Sequence, residues 1–191
     1  MSSEVETRKS GVRWQLVGFL AALCLGVVLV LAAVPLAIKL GSFHSYRISS
    51  NSMAPTLYAG DKIFENEDYY THHKWADGDL VVFRHGNLIL AKRVSALPGE
   101  TIEGKGDKLI RNGVALVEPY AVYSKENPIP EIDTFALRKV PAGEIFVTGD
   151  SRDLSLDSRS ADFAPVLISN VLGRVSIVYT SSHRGQTGRT F

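Results

Sequence analysis

The stretch LVVFRHGNLILAKRV, from Leu80 to Val94, consists of two apolar, β-branched runs separated by His85, Gly86 and Asn87. Gly and Asn tolerate the backbone that a tight turn requires, so the pattern reads as a β-hairpin. The same grammar recurs further along. LIRNGVALV, from Leu109 to Val117, carries Asn112-Gly113, a dipeptide suited to a two-residue connection, and Pro98-Gly99 punctuates the exit from the first hairpin. Glu144 to Thr148 and Val171 to Tyr179 are further β-branched runs, whereas Tyr120 to Asp133, with Pro128 and Pro130, reads as an extended surface loop. The tail from Ser181 to Phe191 is expected to fray. No internal repeat or low-complexity tract lies beyond Leu40. Together these signals predict a mainly β, antiparallel domain with few helices.

Upstream of that domain the composition changes abruptly. From Trp14 to Ile38 the chain has no charged residue, while Glu4, Glu6, Arg8, Lys9 and Arg13 crowd before it. As a helix this run would be about 37 Å long against a hydrocarbon core of about 30 Å, enough to span with some tilt. A cleaved signal peptide is the alternative, but its apolar core is only about 7 to 15 residues. Arg8, Lys9 and Arg13 before the span place the N-terminus in the cytoplasm by the positive-inside bias, although Lys39 and Arg47 follow closely. The expected organisation is a cytoplasmic tail over 1–13, one transmembrane helix over 14–40, and an extracytoplasmic domain over 41–191 in the cytoplasmic membrane.

Charge and cysteine usage narrow the function. The 191 residues carry 21 Lys plus Arg and 20 Asp plus Glu with 45% apolar residues, which excludes compositional disorder and an electrostatic grip on nucleic acid. Beyond Leu40 lie 17 basic and 18 acidic residues. A segment of that size can bury about two thirds of its surface, so packing must stabilise it. The single cysteine, Cys24, excludes an intrachain disulfide framework and a Cys-based zinc site. His44, His72, His73, His85 and His183 have no metal-ligand spacing, and an extended backbone would send His72 and His73 to opposite faces. No Gly-rich phosphate loop and no GxSxG elbow is present.

Serines and lysines remain. Strand alternation puts Leu88, Leu90, Lys92 and Val94 on one face, with Ile89, Ala91 and Arg93 on the other. If the first face is buried, desolvation lowers the lysine pKa and makes a general base near neutral pH. If it is an edge, Lys92 snorkels to water. Ser49-Ser50-Asn51-Ser52-Met53-Ala54-Pro55-Thr56-Leu57 offers a hydroxyl that a buried lysine would activate, or it is simply a polar turn.

SMAPTL at Ser52 to Leu57, AKRVSALPGE at Ala91 to Glu100 and GDSRDLSLDSR at Gly149 to Arg159 stand in the order and rough spacing of type I signal peptidases. The chain resembles that family across the anchor and essentially the whole outer domain. The resemblance implies a β-rich fold at the membrane surface with a Ser/Lys dyad, in which Ser52 is the nucleophile and Lys92 the general base. It implies that Ser50 and the Ser52 amide form the oxyanion hole, that Ser155 orients the lysine, and that Asp157 and Arg159 form a supporting ion pair. It supplies a reason for Lys92 to be buried. Two positions depart from the family pattern: Ser151 stands where Asn is common, and Leu154 where a second Asn is common. Both lie outside the dyad and bear on turn geometry and substrate preference.

The activity so implied is removal of N-terminal signal peptides from exported preproteins beside the lipid bilayer, with no metal or organic cofactor. Small residues before the cleavage site, as in Ala-x-Ala, are the expected recognition element. A specialised peptidase maturing pilins or conjugation-system proteins would share every motif, and an inactive membrane-anchored β domain would keep the fold alone.

Overall fold

Turn residues divide the chain beyond residue 42 into short strands. The computed structural model describes residues 19, 20, 22–31, 33, 42–123 and 130–191. Among them the strands are β1 (Phe43–Arg47), β2 (Lys62–Asn66), β3 (Leu80–His85), β4 (Leu88–Ala96), β5 (Thr101–Lys105) and β6 (Lys108–Arg111). They continue as β7 (Val114–Ala115), β8 (Phe135–Lys139), β9 (Glu144–Thr148), β10 (Val166–Leu167) and β11 (Val171–Thr180). The chain forms two units, Met1–Ser42 and Phe43–Phe191. In the first, residues 22–31 are helical. Among the described residues no helix is long and apolar enough to cross a membrane. The expected cytoplasmic tail over 1–13 lies outside the described residues, as does much of the expected span over 14–40.

The second unit is a mainly antiparallel β domain. One sheet runs β1-β2-β11-β3-β4-β9-β10 and the other β7-β6-β5-β8. The β3–β4 hairpin turns on Gly86 and Asn87, with Gly86 at φ 57° and His85 still paired to Leu88. Asn112 and Gly113, at φ 51° and 79°, connect β6 to β7 as the sequence predicts. Both turns use the left-handed region that matches the twist of a tight hairpin.

β3 is apolar from Leu80 to Phe83 because both of its faces are covered there. Leu80 and Val82 join Met53, Leu57, Ile63, Val175 and Val178 in one core cluster, while Val81 and Phe83 join Val94, Ile145, Val147, Phe163 and Val166 in another. A third, built on Ile102, Leu109, Phe135 and Phe146, packs the smaller sheet. β4 starts exposed at Leu88 and Ile89 and is buried from Lys92 to Ala96. The register Val81↔Lys92 and Phe83↔Leu90 carries Lys92 into this interior.

Three expectations need correction. The segment read as a surface loop, Tyr120 to Asp133, ends in a helical turn, Pro130–Asp133, and buries Asp133 against Arg159; residues 124–129 lie outside the described residues. His72 is not on an extended segment, because it closes the helical turn Tyr69–His72; His73, just past it, is extended and stacks on Tyr69. The tail does not fray. Val178 N–H donates to the Arg189 carbonyl at 2.9 Å, Phe191 N–H donates to the Ser176 carbonyl at 3.1 Å, and Phe191 packs against the first core cluster.

Candidate active site

Three chain segments far apart in sequence meet at Lys92. The first is the loop from Ser49 to Asp61, which leaves β1 and returns to β2. Its base is closed by Ile48 N–H to the Asp61 carbonyl and Gly60 N–H to the Ile48 carbonyl, each 2.8 Å. Met53 and Leu57, one turn apart and fully buried, seat it on the first core cluster. Burying such a side chain stabilises by about 1.5 to 3 kcal/mol, so these two residues anchor the loop immediately beyond Ser52. Asn51 Oδ1 accepts the Ala59 N–H at 2.9 Å and fixes the near side.

Lys92 projects from β4. Its Nζ donates to Ser52 Oγ at 2.7 Å and to Ser155 Oγ at 3.0 Å, and Ser50 Oγ donates to Ser52 Oγ at 3.2 Å. Only 3% of Lys92 and 9% of Ser52 is exposed, which decides against the snorkelling alternative. Burial pushes the ammonium down from its ordinary value to about 8, opposed by Asp157 and Asp150 and assisted by Arg159. An amine with that pKa has a neutral fraction near physiological pH, and its lone pair then faces the Ser52 hydroxyl.

Ser155 comes from the segment after β9. Asp157, fully buried, accepts the Gly149 N–H at 2.8 Å and Arg159 Nε at 2.8 Å. Arg159 Nη2 reaches the same carboxylate at 3.0 Å and the Arg152 carbonyl at 2.6 Å, and Nη1 donates to Asp133. Gly149 lets the segment close over the site: a Cβ there would collide with the Ser155 side chain and the Ser52 carbonyl. Ser151 N–H donates to that same carbonyl at 3.1 Å, tying this segment to the Ser52 loop. All six positions singled out by the motifs therefore meet in one interior cluster, five of them buried and Ser50 at the rim. Leu154 and Leu156 flank Ser155 and are exposed.

Beside Ser50 and Ser52 lies a cleft of about 110 Å³ walled by Tyr46, Ile48, Ile63, Val82 and Leu90. It is small, and Arg47, Ser49, Ser50 and Ser52 add polar groups to its wall. Among the described residues no group of three or more His, Cys, Asp or Glu side chains could hold a metal ion.

A family model described as signal peptidase, peptidase S26, matches residues 20–180. The chain belongs to the signal peptidase family. It is 36% identical over 163 residues to signal peptidase I V of Bacillus subtilis (strain 168), covering 79% of this chain and 93% of that one. Signal peptidase I S of the same organism is 33% identical over 164 residues, covering 83% and 84%. A crystal structure of a signal peptidase I from Enterococcus faecalis V583 gives a TM-score of 0.44 at 36% identity, covering 55% of this chain and 98% of that one. As a family member the chain is a serine endopeptidase whose activity is signal peptide removal from preproteins.

Several residues that build this site are given no role in the sequence reading. Arg93 makes a bidentate pair with Asp150 at 2.8 and 2.7 Å, donates to the Gly78 carbonyl at 2.8 Å, and lies 3.8 Å over the Tyr120 ring. Arg152 donates to Tyr123 Oη and Glu118 Oε1, each at 2.7 Å. A signal existed in Arg93, a cation adjacent to Lys92 on a strand with both flanks apolar. Its partner, 57 positions away, lies within the GDSRDLSLDSR motif, but nothing in the sequence pairs the two.

Proposed function

We propose that Ser52 and Lys92 are the catalytic dyad by which this signal peptidase hydrolyses its substrate, with Ser50 and the Ser52 N–H as the oxyanion hole. The observation that carries this reading is the 2.7 Å approach of a buried lysine Nζ to Ser52 Oγ. Neutral Lys92 takes the Ser52 proton while Oγ attacks the scissile carbonyl, and the resulting oxyanion is held by Ser50 Oγ and the Ser52 amide. The lysine ammonium then gives its proton to the departing amine, leaving an ester on Ser52. A water that loses its proton to Lys92 attacks that ester and releases the signal peptide as a free acid. Ser155 keeps Nζ in line, and the Asp157–Arg159 pair holds the segment that carries Ser155. One oxyanion donor contributes about 3 to 4 kcal/mol of transition-state stabilisation, so Ser50 matters through geometry and charge together.

Substrate recognition follows from the cleft. An extended substrate sends the residue before the scissile bond and the one two further back to the same face. A cleft of about 110 Å³ supports small side chains at both positions, as in Ala-x-Ala. Residues 14–40 act as a single transmembrane anchor with 1–13 in the cytoplasm, so the domain works on the extracytoplasmic face of the membrane beside substrates whose own apolar segments are in the bilayer. Incubating the detergent-solubilised protein with a preprotein tests the whole reading. Ser52→Ala and Lys92→Met should each abolish cleavage while the domain stays folded. Retention of more than about a hundredth of wild-type kcat by either variant would remove that residue from the dyad.

A further inference from the structure

The tail from Ser181 to Phe191 grips the Ser52 loop at three points. The Ser181 hydroxyl donates to Asp61 Oδ1, and Asp61 Oδ2 accepts the Tyr58 N–H at 2.9 Å. The His183 ring lies flat on Tyr58, with centroids 3.9 Å apart and planes at 10°. Gln186 Nε2 donates to the Pro55 carbonyl at 3.1 Å. The tail is itself held to β11, by Gly188 N–H to the Val178 carbonyl at 2.7 Å and by Arg174 Nη1 to the Phe191 carbonyl at 2.6 Å.

These contacts do something the loop cannot do alone. Within the loop, Ala54 N–H bonds to the Asn51 carbonyl and both Thr56 and Leu57 N–H groups bond to the Met53 carbonyl. Those bonds fix its internal shape and Met53 and Leu57 seat it on the core, while its rim is held by ties from outside the loop. On one side the ties are Ser151 N–H to the Ser52 carbonyl and Arg93 to Thr56 Oγ1. On the other side lies the tail, reaching Pro55, Tyr58 and Asp61.

We propose that the C-terminal tail is a brace for the nucleophile loop, and that His183 and Gln186 are positioning residues that hold Ser52 at attacking distance from Lys92. The inference rests on the Ser52–Lys92 reading. A misplacement of about 1 Å can cost on the order of a hundredfold in rate, so a slackened loop loses turnover. His183 is exposed and Gln186 only half-buried, and truncating such residues changes stability little. Turnover and stability therefore separate.

The test uses the full-length enzyme in detergent with a precursor peptide. A His183→Ala/Gln186→Ala double variant should lose about tenfold in kcat, with KM within about twofold and Tm within about 3 °C of wild type. His183→Phe, which keeps a flat ring for Tyr58, should recover the part of the loss caused by His183→Ala. Wild-type kcat in the double variant would overturn the brace, as would a His183→Phe variant no better than His183→Ala. Ser52→Ala is measured alongside. Cleavage by that variant sinks the catalytic assignment, whereas a dead Ser52→Ala with a fully active double variant sinks the brace alone.

Discussion

Lys92 and Arg93 are consecutive on β4, are exposed to 3% and 8%, and face opposite sides of the sheet. The Arg93 side supplies everything a buried guanidinium needs: a bidentate carboxylate, a backbone carbonyl and an aromatic face. The Lys92 side supplies two serine hydroxyls and, among the described residues, no carboxylate within hydrogen-bonding distance. Asp157, the carboxylate that acts most strongly on Lys92, is occupied by Arg159 and the Gly149 N–H. A buried charge is tolerated when paired and hydrogen-bonded, and otherwise the group sheds its charge. One face of the strand is built to keep a cation and the other to make an amine give up its proton.

The largest expected effect breaks the Lys92 side. Lys92→Met should lower kcat by about 10⁴-fold or more, since the proposed general base is removed outright. It should also make the folded domain more stable at pH 7. Because the folded pKa of about 8 lies below the unfolded one near 10.4, the unfolded chain holds more protons between those values, and stability rises with pH through that window. Below pH 8 the full cost of burying the ammonium, on the order of 3 kcal/mol, is present in the wild type. The Tm advantage of Lys92→Met should therefore be greatest at pH 7 and shrink towards pH 10. A variant less stable than wild type at pH 7 would mean that Lys92 holds the fold together.

Arg93→Ala should do the opposite to stability. It leaves Asp150, fully buried, without its cation, a loss of about 3 to 5 kcal/mol readable by urea unfolding. Equal signs for the two substitutions would erase the contrast between the faces of β4.

How far this contrast is legible in sequence follows from where its information lies. Alternation along β4 separates Lys92 from Arg93, and Gly86-Asn87 and Asn112-Gly113 mark turns through backbone preferences that belong to those residues alone. The partners are another matter. Asp150, Glu118, Tyr123 and Asp133 are chosen by how distant strands pack, and a carboxylate in a polar segment looks the same whether it is solvated or fully desolvated. The tail fails for a related reason. GQTGRTF has the composition of a frayed end, and a single terminal Phe191 docking beside Met53 and Leu57 is too small a pattern to register.

A smaller effect sharpens the Lys92 assignment. With an amine pKa of about 8, the neutral fraction rises about tenfold between pH 7 and pH 9, and kcat/KM should rise with it and then level off. A profile still climbing past pH 10 would describe a solvated lysine and return Lys92 to the surface.

The change with the smallest effect on activity extends the comparison to a buried group of the other sign. Glu65 on β2 is fully buried, and among the described residues neither carboxylate oxygen accepts a hydrogen bond. His44, facing it from β1, brings Nδ1 to 3.6 Å, and on β11 Gly173 makes room: a Cβ there would collide with Glu65 Oε1. Burial, with the neighbouring charge of Glu67, pushes the carboxyl up to about 7. The folded chain then holds a proton that the unfolded chain releases near pH 4.3, so stability falls as pH rises from about 4.5 to about 7 and stays at the lower level above. Like Lys92, the group resists its charge, but no serine waits beside it. Glu65→Gln keeps the shape and removes the ionisation. The variant should match wild type at pH 4 and melt about 10 °C higher at pH 8. A pH-independent offset between the two Tm curves would show that burial does not raise the Glu65 carboxyl, and the group that resists its charge would be Lys92 alone.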